Sequence, residues 1–294
     1  MACVAVVGPG AMGCMAAAAV YRTGRHDLML CGRRAQPAPI QVEQRSAATT
    51  IIPLPILSDP ATCPAPVDVV LLAVKAHQID GARDWLAALC GPQTIVGVLQ
   101  NGVEQRERVS PLVGGAVVLP LVVYCRAEVI APGRILADNA LRLIAPREPA
   151  AEVLAGLLAG SGASVELVDD FLTQQWRKLC WNAVTGIMAA AACPARMFRD
   201  PAARRVARAL AQEAIHVARA QGADIEDSFA DELVQRLDAM APEAGASILS
   251  DRLAGRPLEW EARNGVIRRL GARCGVATPV SDVLVPILAA AGGS

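Results

Sequence analysis

The sequence predicts a doubly wound α/β domain followed by an all-α domain, and three observations carry that prediction. Short apolar runs, ACVAVV, DLMLC, VDVVLLAV and TIVGVLQ, recur through residues 2–100 with the composition of strands buried on both faces of a parallel sheet. Helix-like segments, Ala11 to Arg22 and Gln78 to Cys90, separate them, and such alternation marks a doubly wound fold. After about Val168 the strand-like runs stop and amphipathic helical patterns take over. The expected division is residues 1–168 and 169–294.

Composition narrows the class of partner. A chain of 294 residues is long enough to bury about 75% of its unfolded surface, so a sizeable core is expected. Its 28 basic and 28 acidic side chains cancel and form no long block of one sign. That balance argues against nucleic acid or anionic lipid and favours a small molecule. Nine scattered cysteines, with no CxxC pair and no histidine at ligand spacing, read as reduced thiols and give no metal site. The N-terminus carries no basic leader with a cleavage site, and no apolar run has the character of a membrane span. A cytoplasmic protein is expected.

The first strand-like run leads directly into GPGAMG. In that setting Gly8 permits a tight turn, Gly10 lets backbone approach a pyrophosphate, and Gly13 lets helix and strand pack closely. Ala11 and Met12, with Gly13, open a helix whose free N–H groups and positive dipole end would face phosphates. The alternative is a strand-to-helix turn that binds nothing. A second test lies at the end of the next strand, where an acidic residue would grip the ribose 2′-hydroxyl of NAD. Here Gly32-Arg33-Arg34 follows DLMLC instead, and guanidinium groups suit a 2′-phosphate, so NADPH is the expected cofactor unless the arginines merely line a solvated loop. Lys75, closing the third strand-like run, adds positive charge nearby.

Further along, Gln36-Pro37-Ala38-Pro39 and Pro53 to Pro66 read as proline-punctuated loops. From about Gly114 the chain reads as antiparallel strands turning at Pro132-Gly133 and Asp138-Asn139, an extension of the sheet. The second domain is expected to hold helices over Leu172 to Ala192, Pro201 to Gln221, Asp227 to Met240 and Glu259 to Cys274, broken at Pro194, Pro201 and Gly222.

A carbonyl reductase needs a proton donor where negative charge develops on oxygen. None of the three histidines is well placed: His26 precedes a strand, His77 sits in a loop, and His216 lies in a helix rich in Ala and Arg. WRKLCWN offers another donor, because Lys178 and Asn182 are four apart and share one helix face. Pattern alone leaves two readings, a polar site facing a cleft or a snorkelling surface lysine.

The set GPGAMG, VDVVLLAVKAHQ, LQNGV, WRKLCWN and SILSDRLAGRPLEWEARNG, in this order, resembles the ketopantoate reductase (2-dehydropantoate 2-reductase) family over nearly the whole chain. The resemblance implies a Rossmann-type domain followed by a helical one, and NADPH-dependent reduction of 2-dehydropantoate to pantoate, a step of pantothenate and coenzyme A biosynthesis. It implies Lys178 as proton donor and Glu259 as the carboxylate that completes the catalytic site. Asn101 matches a position between nicotinamide and substrate; Asn182 and Ser247 match substrate-binding positions; Arg33 and Lys75 match residues that favour NADPH. It implies a small 2-oxo acid partner and a monomer or homodimer. Three positions depart from the family pattern: Gly186, Ala244 and the segment Cys193-Pro194-Ala195 stand where asparagines are common. Loss of those donors weakens discrimination, which keeps open a reductase of another 2-oxo or 3-hydroxy acid, and a non-catalytic NADPH sensor.

Overall fold

The computed structural model describes residues 1–36, 39–45, 47–63 and 66–292. They cluster into two compact units, Met1–Phe171 and Leu172–Ser294.

In the first unit the apolar runs do form parallel strands. β1 (Cys3–Val7), β2 (Asp27–Cys31), β5 (Ile56–Leu57), β6 (Val69–Leu72), β7 (Ile95–Val98) and β8 (Val117–Pro120) make one sheet in the order β5-β2-β1-β6-β7-β8. All five pairings are parallel. The order reverses between β1 and β6, and crevices at such a reversal, beyond the carboxyl ends of the strands, are where doubly wound sheets bind ligands. α1 (Ala11–Arg22) is alanine-rich because it is buried nearly all round: Gly13 to Val20 are enclosed. Small side chains let it lie between this sheet and a second one.

That second sheet departs from the sequence reading. β3 (Ile40–Gln44) and β4 (Ala47–Ile52) pair antiparallel, and β10 (Ala127–Ala131) and β11 (Arg134–Ala137) join them in the order β10-β11-β3-β4. IQVEQ alternates buried and half-buried residues, the period-2 signal that the surrounding prolines obscure. The region after Gly114 therefore does not simply extend the first sheet. β8 does, whereas β9 (Val122–Tyr124), β12 (Arg142–Pro146) and β13 (Ser164–Val168) form a third sheet with α4 (Pro149–Leu158) between β12 and β13. The expected turn at Pro132-Gly133 is present, with Gly133 at φ +73°. Of the two proline-rich loops, Pro37, Ala38, Pro64 and Ala65 lie outside the described residues, while the rest of Pro53 to Pro66 includes β5 and a 3-10 turn over Pro60–Thr62. The helix expected over Gln78 to Cys90 shortens to α2 (Arg83–Leu89), preceded by two 3-10 turns; α3 (Gln105–Val109) follows β7.

Among its described residues the second unit contains no strand; its α-helices are α5 (Phe171–Ala191), which begins at the last residue of the first unit, then α6 (Pro201–Ala220), α7 (Phe229–Asp238), α8 (Ser247–Leu253), α9 (Val266–Cys274) and α10 (Pro279–Ala291). α8 and α10 are additions to the sequence reading. The helix expected from Glu259 begins instead with a π-helical turn over Glu261–Gly265 before α9. Glu213 on α6 is buried and accepts hydrogen bonds from the Ser281 N–H and hydroxyl at 2.9 and 2.8 Å, capping α10 from across the core. Among the described residues no helix is long and apolar enough to cross a membrane.

Candidate active site

The glycine turn has the room and the backbone donors that could hold a phosphate. Gly8 adopts φ +90°, and a Cβ there would lie 2.7 Å from the Val74 nitrogen. At Gly13 a Cβ would stand 2.2 Å from the Gly8 oxygen, so only glycine lets α1 start this close to β1. Gly10 is different: nothing lies within 4 Å of where its Cβ would be. Gly10 also caps α1 without a side-chain hydrogen bond, leaving the first turn, Ala11, Met12 and Gly13, with backbone donors for an anion. Open space at Gly10, tight packing at Gly8 and Gly13, and an uncapped helix start fit a dinucleotide pyrophosphate.

Three more of the expected residues sit at carboxyl ends of neighbouring strands. Arg33 follows β2, whose Cys31 carbonyl accepts from Gly8 N–H at 2.9 Å, and Arg33 and Arg34 are both exposed. Lys75 follows β6 and precedes a 3-10 turn in which Gln78 N–H donates to its carbonyl at 2.7 Å. Asn101 follows β7; its loop is fixed by Gln100, whose Nε2 donates to Val74 O at 2.9 Å, and by Gln105, whose Nε2 donates to Gln100 O and to Leu121 O.

In the second unit Lys178 is half-buried on α5, and Arg177 beside it pairs with Glu226 and stacks over Phe229. Burial lowers the Lys178 pKa to about 8, helped by the positive charges of Arg263 and Arg236. Lys75 and Lys178 are the only lysines in the sequence; arginine serves everywhere else. An ammonium titrates readily when buried whereas a guanidinium stays charged, so Lys178 is chemically distinct from every other cation of this unit. Asn182, one turn on, is buried. Ser247 opens α8, and Glu259 stands half-buried just ahead of the π turn, where its charge acts on Arg263.

Arg263 is the residue the sequence reading missed. It is 2% exposed, and its guanidinium reaches Ser247 Oγ at 3.1 Å, Thr185 Oγ1 at 3.1 Å and Asn182 Oδ1 at 3.3 Å. A signal was available, since Arg263 lies three residues before Val266 and four before Ile267, on the stripe that α9 buries. The departures from the family pattern also find a physical setting. A Cβ at Gly186 would meet Asn264 Oδ1 at 2.5 Å, so the Asn264 carboxamide, which donates to Ala183 O at 3.0 Å, fills the space a longer side chain needs. Ala195 N–H donates to the Ala244 carbonyl at 2.9 Å, so the other two departures are neighbours.

Family and relatives make the chain an oxidoreductase acting on a CH–OH/C=O group, with a parallel sheet in one unit and a half-buried lysine in the other. The chain belongs to the ketopantoate reductase family: the family described as Ketopantoate reductase PanE/ApbA matches residues 4–145, and its C-terminal counterpart matches residues 170–291. The chain is 44% identical to the 2-dehydropantoate 2-reductase of Mycobacterium tuberculosis (strain ATCC 25618 / H37Rv) over 98% of this chain and 97% of that one. Among solved structures it is similar to a PanE/ApbA family ketopantoate reductase from Ralstonia eutropha JMP134, with TM-score 0.89, 26% identity and coverage of 99% and 98%. It is also similar to a dimeric ketopantoate reductase from Staphylococcus aureus, with TM-score 0.88, 25% identity and coverage of 99% and 98%.

Proposed function

We propose that this protein reduces 2-dehydropantoate (ketopantoate) to pantoate with NADPH as hydride donor and Lys178 as proton donor. The observation that carries the reaction is family membership at 44% identity over 98% of the chain. A reductase of a different 2-oxo or 3-hydroxy acid is not favoured beside it. Arg33 and Lys75, beyond β2 and β6, support NADPH over NADH through their charge beside the glycine turn.

The first unit holds the cofactor through Gly8, Gly10, Ala11, Met12, Gly13, Arg33, Lys75 and Asn101. Bound there, NADPH supplies a hydride to the keto carbon. The carbonyl oxygen gains negative charge as that bond forms, and the Lys178 ammonium stabilises the charge and delivers the proton that completes the hydroxyl. With a pKa of about 8, Lys178 is still about nine-tenths protonated at pH 7, yet a much better acid than an exposed lysine. Asn182 and Ser247 orient the substrate, and Glu259 balances the positive charge gathered around Lys178. Positive potential from Lys178, Arg263 and Arg236 suits the anionic carboxylate of a 2-oxo acid.

The protein works on this small molecule as a monomer or homodimer. Its nine cysteines are free thiols, which suits the reducing conditions of cytoplasm. Incubation with NADPH and a panel of 2-oxo acids, with the products identified chromatographically, tests the reading. Pantoate formed faster than any other hydroxy acid is the expected result; a preference for another acid overturns the substrate assignment.

A further inference from the structure

We infer that Arg263 is a positioning residue of this site, a buried guanidinium that fixes the Asn182 carboxamide and the Ser247 hydroxyl and holds positive potential beside Lys178. The inference rests on the reading of Asn182, Ser247 and Lys178 given above.

The hydrogen-bond chemistry is directional. A guanidinium only donates, so each group it meets must accept from it. Nη1 meets Ser247 Oγ at 3.1 Å, and Nη2 meets Asn182 Oδ1 at 3.3 Å, Thr185 Oγ1 at 3.1 Å and the Asn182 carbonyl at 3.5 Å. Asn182 is thereby fixed with its oxygen toward Arg263, which turns its NH₂ edge away. Ser247, accepting from Arg263, keeps its hydroxyl hydrogen to give elsewhere. Ser247 is thereby poised as a donor, the polarity that a carboxylate and a nascent alkoxide require. Thr185 acts as the anchor: its hydroxyl donates back to the Trp181 and Asn182 carbonyls at 3.1 and 3.0 Å, so its lone pair faces the arginine.

The arginine is itself held under constraint. It is 2% exposed, and its Nε has no hydrogen-bond partner, an unmet donor on a buried cation. A buried cation with an unmet donor is costly, and a functional role is one reason for a fold to retain it. The π-helical turn over Glu261–Gly265 places it there, and such turns are frequent at functional sites. The charged groups around the pair come from three elements. Arg263 and, from α7, Arg236 act on Lys178; Glu259 and, from α8, Asp251 act on Arg263. Burial lowers the Arg263 pKa to about 10, so it keeps its charge throughout the range in which Lys178 titrates.

Two variants separate geometry from charge. Arg263→Lys keeps a cation and loses the fork; Arg263→Met keeps comparable length and loses both. Each is checked for folding by circular dichroism and for NADPH binding by fluorescence. KM and kcat for ketopantoate are then measured. Because the sequence has only two lysines, carbon-13 labelling at lysine Cε also follows the Lys178 titration directly by NMR, with Lys178→Ala giving the assignment. The KM for ketopantoate is expected to rise at least about tenfold in both variants, with NADPH binding intact. The Lys178 midpoint is expected to move up by about half a pH unit or more in Arg263→Met and to stay near wild type in Arg263→Lys. An unchanged KM, an unchanged midpoint in Arg263→Met, or loss of folding in both variants each overturns the assignment. If the wild type fails to reduce ketopantoate, the proposed reaction falls, and the Lys178 midpoint alone then decides the inference about Arg263.

Discussion

At the scale of single residues the proposed chemistry depends on how burial changes Lys178. An ordinary lysine, with a pKa near 10.5, parts with its proton reluctantly; one brought to about 8 is protonated at neutral pH and acidic enough to transfer. Lys178 must carry the proton to act as the acid. The kcat/KM for reduction is therefore expected to be level below pH 8 and to fall about tenfold per pH unit above it. Oxidation of pantoate by NADP⁺ should gain activity across the same range, since it needs the neutral amine. A pH–rate profile with no alkaline limb near 8 contradicts this role. In the proposed reading Arg33 carries the cofactor preference. Arg33→Ala should raise KM for NADPH about tenfold to a hundredfold, the worth of a charge-assisted contact, and leave KM for NADH within about twofold. Equal effects on the two cofactors would remove the case for a 2′-phosphate contact. The sequence offered Lys178, Asn182 and Arg33 as candidates because each sits at a position marked by local periodicity or by the end of a strand. Arg263 stayed hidden because its partners, Ser247, Asn182 and Thr185, lie 16 to 81 residues away in the chain.

Elements show the same division between local and long-range determination. The glycine turn was legible because its three glycines fall on one short spacing directly after a strand-like run, and its members can be told apart experimentally. Gly13→Ala places a Cβ 2.2 Å from the Gly8 oxygen and should destabilise the first unit as well as weaken NADPH binding. Gly10→Ala meets no protein atom within 4 Å and should leave stability within about 0.5 kcal/mol while still raising KM for NADPH, because the methyl enters the space meant for phosphate. Thermal melts and cofactor titrations of the two variants check this; equal stability loss in both would mean the turn is structural alone. β3 and β4 escaped the sequence reading because prolines flank a short alternating run, and their partners β10 and β11 come from a distant segment. α10 escaped too, and its start depends on a residue far away in sequence. Glu213→Ala removes the carboxylate that caps α10 and should lower stability by about 1–2 kcal/mol in urea unfolding. No loss would show that solvent replaces the cap at no cost.

For the whole molecule, the sequence carried the fold class and the change from mixed to helical structure near Val168, because that change is a change of hydrophobic period. It did not carry the division of the first unit into three sheets, which depends on strands meeting across long stretches of chain. The reaction came from resemblance and then from family membership, since a nucleotide fold followed by helices serves many chemistries. What binds these levels together is the joint claim that NADPH reduces ketopantoate here and that Lys178 supplies the proton. The direct measurement is the rate of NADPH oxidation with ketopantoate by the wild type and by Lys178→Ala, with NADPH binding confirmed in both. The account predicts ready turnover by the wild type and a loss of at least about 10²-fold in the variant, the scale of general-acid catalysis. Ketopantoate-dependent oxidation that is absent in the wild type, or unchanged in Lys178→Ala, would contradict it.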